Sequence, residues 1–226
     1  MIPLKDDSPS ALKPFVTISL IGCCTCVFLW QRSLDTASSR QAVAALGAIP
    51  AVLLTDARLP PELQWIPRFA SPFTSMFLHG GWMHLLGNML FLWIYGDNVE
   101  DALGHARYLV FFLLCGIAAI FVQALSAPDS PYPIIGASGA ISGVLGAYLL
   151  LFPRARVLTL VLLPFFFTTL ELRARLLILL WFAVQLISDL AAPDGGASVA
   201  FRAHIGGFLT GMLLVPFIKR RDVPIW

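Results

Sequence analysis

Long runs of apolar residues, rather than a helical or strand period, dominate this chain. A membrane crossing takes roughly 17–25 mostly apolar residues. Residues 14–30, 82–96, 108–126, 138–152, 176–192 and 201–218 are read as six such spans. A further apolar stretch, 157–170, is short, broken by Pro164 and flanked by arginines. It is expected to form an interfacial hairpin or a re-entrant piece. Residues 31–81 make a long first outer loop, whose apolar part (42–54) contains Pro50 and precedes Pro60-Pro61. That part is expected to lie in the membrane interface. The pattern predicts an all-α polytopic membrane protein: one six-helix domain over 14–218, between an N-terminal tail (1–13) and a C-terminal tail (219–226).

Composition narrows the class. Of 226 residues, 58% are hydrophobic and 12% charged, against about 25% charged in a soluble domain. Too few polar side chains remain to cover a water-facing surface, which excludes soluble and disordered classes. A net charge of +2, spread along the chain, excludes nucleic acid as a partner; the partner is the lipid bilayer. With the N-terminus inside, the inner segments carry ten of the 15 Lys and Arg residues. The positive-inside rule then puts both termini in the cytoplasm. No signal-peptide pattern or targeting extension opens the chain, so a bacterial plasma membrane is expected. Cys23, Cys24, Cys26 and Cys115 lie inside apolar runs and are expected to be buried free thiols.

Polar residues inside spans are costly and mark functional candidates. The second, fourth and sixth spans enter from the same side and carry polar residues near that end: His84 and Asn88, Ser138, and His204. Arg154 marks the inner end of the fourth span and Lys219 that of the sixth. At ~1.5 Å per residue, Ser138 lies ~24 Å and His204 ~22 Å above these anchors. Equal depth suits a nucleophile and its base, because a hydroxyl attacks poorly unless an imidazole takes its proton. Gly136 and Gly139 flank Ala137-Ser138 and permit a tight helix entry with close substrate approach. The unpaired first amides of that helix offer an oxyanion binder. His84 and Asn88, four residues apart, share a helix face and could add donors.

Other chemistries lack their residues. There is no His-Glu-x-x-His and no metal set, Asp189 stands alone, and Lys5, Lys13 and Lys219 all lie outside the spans. Position 140 is Ala, which breaks a Gly-x-Ser-x-Gly elbow. No cofactor is implied. Spacing alone still leaves catalysis, helix packing through Gly139-x-x-x-Gly143 and Gly207-x-x-x-Gly211, and a transport path open.

Three separated motifs together resemble the rhomboid family of intramembrane serine proteases: His84-Leu-Leu-Gly-Asn88, Gly136-Ala-Ser-Gly139 and Ala203-His204-Ile-Gly-Gly-Phe-Leu-Thr-Gly211. Phe77-Leu-His79, Gly96-Asp-Asn-Val-Glu100 and Phe152-Pro-Arg-Ala-Arg156 are further similarities. The resemblance implies a serine endopeptidase that cuts membrane-anchored substrates in or beside their transmembrane segment. Ser138 would be the nucleophile and His204 the base, with His84, Asn88 and the Ser138 amide holding the oxyanion. It also implies a structural or water-organising role for His79 and a turn-stabilising one for Glu100. Trp65-Ile-Pro-Arg68 departs in spacing from the family's Trp-Arg pair in the first loop. The alternative is a non-catalytic relative that binds transmembrane clients.

Overall fold

Each of the six apolar runs read as a span folds as a helix over all or nearly all of its described residues. The structure, a computed structural model, describes residues 1–162, 167–191 and 200–225. In chain order its elements are β1 (Ile2–Asp6), α1 (Phe15–Ser33), α2 (Thr36–Leu46), α3 (Pro50–Leu54), α4 (Ser71–Thr74), α5 (Trp82–Leu103) and α6 (His105–Ser126). There follow α7 (Ser138–Leu151), β2 (Arg156–Leu162), β3 (Phe167–Arg173), α8 (Ala174–Ala191) and α9 (Phe201–Ile218). Among the described residues, four helices are long and apolar enough to cross a membrane: α1, α6, α8 and α9. Helix α7 is apolar but only 14 residues long. Helix α5 runs for 22 residues and carries Asp97, Glu100 and Asp101 in its last turns.

The short helix is the centre of the fold. Its run of Gly, Ala and Ser presents so little side chain that neighbours close on it from all sides, and eleven of its 14 residues are buried. A Cβ added to Gly207 or Gly211 on α9 would overlap the carbonyl oxygen of Gly139 or Gly143 on α7. One added to Gly143 would come within 2.5 Å of Cys115 on α6. In lipid there is little hydrophobic drive between helices, so close backbone packing of this kind supplies the cohesion.

Helix α1 lacks a side-chain cap of its own, because Pro14 stands at its N-cap. Glu100, fully buried near the end of α5, takes over that task. Its carboxylate accepts from the backbone N–H groups of Val16 (2.9 Å) and Thr17 (2.8 Å), which a helix start leaves unpaired. It also contacts Nδ1 of His105 at 2.6 Å. The sequence assigned His105 no role. The α1 face toward the core is Thr17, Leu20, Cys24, Phe28 and Gln31. Cys23 and Cys26 fall off that face and are exposed free thiols, contrary to the expectation of burial, while Cys24 and Cys115 are buried.

At the far end of α7, β1, β2 and β3 form an antiparallel sheet in that order. The apolar stretch 157–170 is thus a hairpin of two strands, with Arg156 opposite Arg173; Pro164 lies outside the described residues. Its β-branched Val157 and Thr159 are buried, which suits a pleated strand. Residues 1–13 contribute β1, where Ile2 pairs with Leu160. Asp6 accepts a hydrogen bond from the Tyr148 hydroxyl on α7. Burial pushes its carboxyl above the ordinary range, and the Tyr148 bond opposes that shift.

Between α1 and α5 the chain is ordered and does structural work. Backbone bonds join Ala48 to Ile134 in both directions (3.1 and 2.8 Å), and Ala51 donates to Ser130 (3.1 Å). The Thr74 hydroxyl donates to the Leu46 carbonyl at 2.6 Å. These contacts fix the segment that leads into Ser138.

Candidate active site

Ser138 is the first residue of α7, and its position follows from the turn before it. Gly136 adopts φ +112°, a conformation only glycine takes readily, and its N–H donates to the Ser75 carbonyl at 2.9 Å. The chain there reverses into the helix with the first amides unpaired. The Ser138 Oγ lies 2.8 Å from Nε2 of His204, on the first turn of α9. Their nearness rests on the glycine contacts between α7 and α9 described above.

The other imidazole nitrogen has a partner too. Nδ1 of His204 lies 2.7 Å from Oε1 of Gln185 on α8. With an amide oxygen there, Nδ1 carries the hydrogen and Nε2 is free to accept from the serine O–H. Trp181, one turn before Gln185, sets its ring beside His204, with centroids 6.0 Å apart. Gln185 was not among the residues singled out from the sequence. The available signal was a polar residue in the middle of an apolar run, the same signal that singled out the histidines.

His84 and Asn88 come to the site from α5. Both face Gly136: a Cβ there would lie 2.6 Å from Nε2 of His84 and 3.7 Å from Nδ2 of Asn88. A chain of bonds orients Asn88. His79 Nδ1 lies 3.2 Å from the Phe77 carbonyl, and its Nε2 lies 3.0 Å from Nδ2 of Asn88. Nδ1 therefore donates, Nε2 accepts one Asn88 hydrogen, and the second Asn88 hydrogen stays available. Gln31 grips the backbone of His79 through both amide atoms (3.0 and 3.4 Å). The Gly80 N–H approaches Nδ1 of His84 at 3.4 Å, which leaves Nε2–H of that ring as a donor.

His84, Asn88, Ser138 and His204 line one cavity of about 790 Å³, with Gly80 and Trp181 among its other walls. Residues between Ala127 and Ile135 form one wall of it; residues 192–199 lie outside the described residues. Gly139 packs closely on α6, where a Cβ would come within 2.5 Å of Ala119. Among the described residues no group of three His, Cys, Asp or Glu side chains is placed to hold a metal ion.

Comparison with known proteins agrees with this architecture. A family model described as Rhomboid domain matches residues 67–221. Rhomboid protease GluP of Bacillus subtilis is 45% identical over 76 residues, 34% of this chain and 14% of that protein. Rhomboid protein 1, mitochondrial, of Saccharomyces cerevisiae is 35% identical over 88 residues, 37% of this chain and 25% of its own length. Presenilin-associated rhomboid-like protein, mitochondrial, of Bos taurus is 28% identical over 145 residues, 63% of this chain and 36% of that protein. The chain thus spans well under half the length of each of these relatives. With a family model covering more than half of its residues and four helices able to cross a membrane, this chain is an integral membrane protein belonging to the rhomboid family.

Proposed function

We propose that the protein is an intramembrane serine endopeptidase that cleaves membrane-anchored substrates within or next to their transmembrane segment. One observation carries the proposal: Ser138 Oγ and His204 Nε2 stand 2.8 Å apart, at the helix start where backbone amides are unpaired. In this reading the serine Oγ attacks the scissile carbonyl carbon as its proton passes to Nε2 of His204. The carbonyl oxygen becomes an oxyanion, held by the Ser138 N–H, the free Asn88 N–H and Nε2–H of His84. His204 then returns the proton to the leaving amine. Water deacylates the serine by the same route, with His204 again as base. The likeness to a relative named as a protease supports this assignment.

The finer topology belongs to the same proposal. Helices α1, α5, α6, α7, α8 and α9 are the six spans, residues 1–13 and 219–226 flank them, and both termini face the cytoplasm. The lysine and arginine distribution supports that orientation. The likeness to a bacterial relative supports a bacterial plasma membrane. Substrate enters between α5 and α8, where Phe91, Tyr95, Leu177, Trp181 and Val184 line a second cavity of about 180 Å³. A peptide bond in a helix is shielded, so substrates that unwind at Gly or Pro are favoured.

The test is cleavage of a model transmembrane peptide by the purified protein in liposomes. Wild type cleaves and Ser138→Ala does not. If both bind the peptide and neither cleaves it, the protein is a client-binding relative.

A further inference from the structure

Helix α8 is held to the rest of the molecule along one line. Only Ala174, Ile178 and Gln185 of its residues are buried, while Leu176, Leu179, Leu180, Val184, Ile187 and Leu190 are 49% or more exposed. The face toward α9 bears Ile178, Phe182, Gln185 and Asp189, three or four residues apart. Phe182 stacks on Phe208 with centroids 4.4 Å apart. Asp189 receives Nε of Arg202 at 3.0 Å, and Gln185 Oε1 meets Nδ1 of His204 at 2.7 Å. The helix beside the proposed entry is therefore the helix whose amide touches the base.

An imidazole has two tautomers, and only the one with hydrogen on Nδ1 lets Nε2 accept from the serine. Among the described residues, the bonded partners of the two ring nitrogens of His204, Gln185 and Ser138, lie on α8 and α7 and not on α9. Gln185 selects between the tautomers, since an amide oxygen accepts and cannot donate. It also fixes the ring plane, and after proton transfer it remains hydrogen-bonded to the Nδ1–H of the imidazolium. Gln185 is buried, at 8% exposure, so water competes poorly for Nδ1. The titratable and charged groups around His204 are Ser138 on α7, His84 on α5, and the Asp189–Arg202 pair.

We infer that Gln185 is the positioning residue of the base: it selects the Nδ1–H tautomer of His204 and thereby makes the seating of α8 against α9 a condition for a primed Ser138. The inference rests on the assignment of Ser138 and His204 as a catalytic pair. A displacement of α8 outward would part Gln185 from His204 and leave the ring free to turn or change tautomer. Peptide cleavage would then await the return of α8.

The experiment uses the full chain in liposomes with the same model transmembrane peptide, comparing wild type, Gln185→Leu, Gln185→Glu and Ser138→Ala. Melting curves for each variant check folding. Gln185→Leu is expected to lose kcat about 10- to 100-fold, part of the ~10²–10⁴ that a positioned base contributes, with KM unchanged. Gln185→Glu restores an acceptor and so recovers most of kcat. Its carboxylate favours the imidazolium, so the acid limb of the kcat–pH profile moves to higher pH. The inference is overturned if Ser138-dependent cleavage persists in Gln185→Leu at wild-type kcat. It is equally overturned if Leu and Glu lose activity together with an unmoved acid limb, because Gln185 would then only pack. Should Gln185→Leu fail to fold, the acid limb of Gln185→Glu decides alone. Cleavage undiminished by Ser138→Ala would instead sink the serine-protease reading itself.

Discussion

The Cα of Gly207 on α9 lies against the carbonyl oxygen of Gly139 on α7, with no room for a Cβ between them. Ser138 is the neighbour of one and His204 is three residues from the other, so this contact sets how near the two can come. Gly207→Ala forces the helices apart. It should cost on the order of 1–3 kcal/mol of stability, the usual range for overpacking, and should reduce cleavage much more than an equal loss of stability elsewhere. Gly22→Ala on α1 is the control, since a Cβ there meets nothing within 4 Å. Thermal melting with cleavage rates for both variants checks the point.

Glu100 ties α1 to α5 by its bonds to Val16 and Thr17. Removing the carboxylate leaves the buried Thr17 N–H and the part-buried Val16 N–H without their partner, and a hydrogen bond to a charged group contributes roughly 1.5–3 kcal/mol. Glu100→Ala should therefore lower the midpoint of unfolding in detergent by at least one such bond, while Glu100→Gln, which keeps one acceptor, falls between. Equal stability of wild type and Glu100→Ala would contradict this account of the α1 start.

In the proposed mechanism Asn88 donates to the oxyanion, and His79 holds Asn88 in place through its Nε2. Loss of one oxyanion donor typically costs ~10²–10³ in kcat, which is the expectation for Asn88→Ala with KM little changed. His79→Ala, which removes only the group that orients Asn88, should cost less. The double variant should then lose no more than Asn88→Ala alone. Losses that multiply would show that His79 acts separately.

Asp35 caps α2, accepting from the Ser38 hydroxyl (2.6 Å) and from the N–H groups of Ala37 (2.9 Å) and Ser38 (3.1 Å). These bonds, the Ser38 hydroxyl foremost, hold its carboxyl below the ordinary 3.8. A depressed folded-state value means the stabilisation is full above the unfolded value and is lost as pH falls through the folded one. Wild type should therefore melt above Asp35→Ala near neutral pH, and the gap should close only below about pH 3.8. Asp35→Asn, whose amide oxygen caps without titrating, should keep its advantage over Asp35→Ala throughout. A gap independent of pH would contradict the capping role.

What the sequence revealed follows from what was local. Helix α9 runs over the residues read from hydropathy, and the other helices differ by a few residues at their ends, where Glu100 and neighbouring charges extend α5 past Gly96. Counting residues up from Arg154 and Lys219 put Ser138 and His204 at one level, because straight helices convert number into height. The sheet was hidden, since β1 pairs with a strand over 150 residues away and only the alternation of β-branched residues in 157–161 hinted at it. Gly139 was read for close substrate approach from its place beside Ser138, and its tight contact with Ala119 on another helix is not visible along the chain. Gln185 passed unnoticed because its partner lies on another helix. The exposure of Cys23 and Cys26 follows from the narrow buried stripe of α1, which hydropathy alone cannot orient.

The central claim is that Ser138 is an activated nucleophile with His204 as its base. The most direct measurement is labelling of the purified, detergent-solubilised protein by a fluorophosphonate probe, comparing wild type, Ser138→Ala and His204→Ala. The account predicts labelling of the wild type alone, with both variants folded and unlabelled. Equal labelling of wild type and Ser138→Ala would contradict it, as would a folded wild type that neither labels nor cleaves a transmembrane peptide.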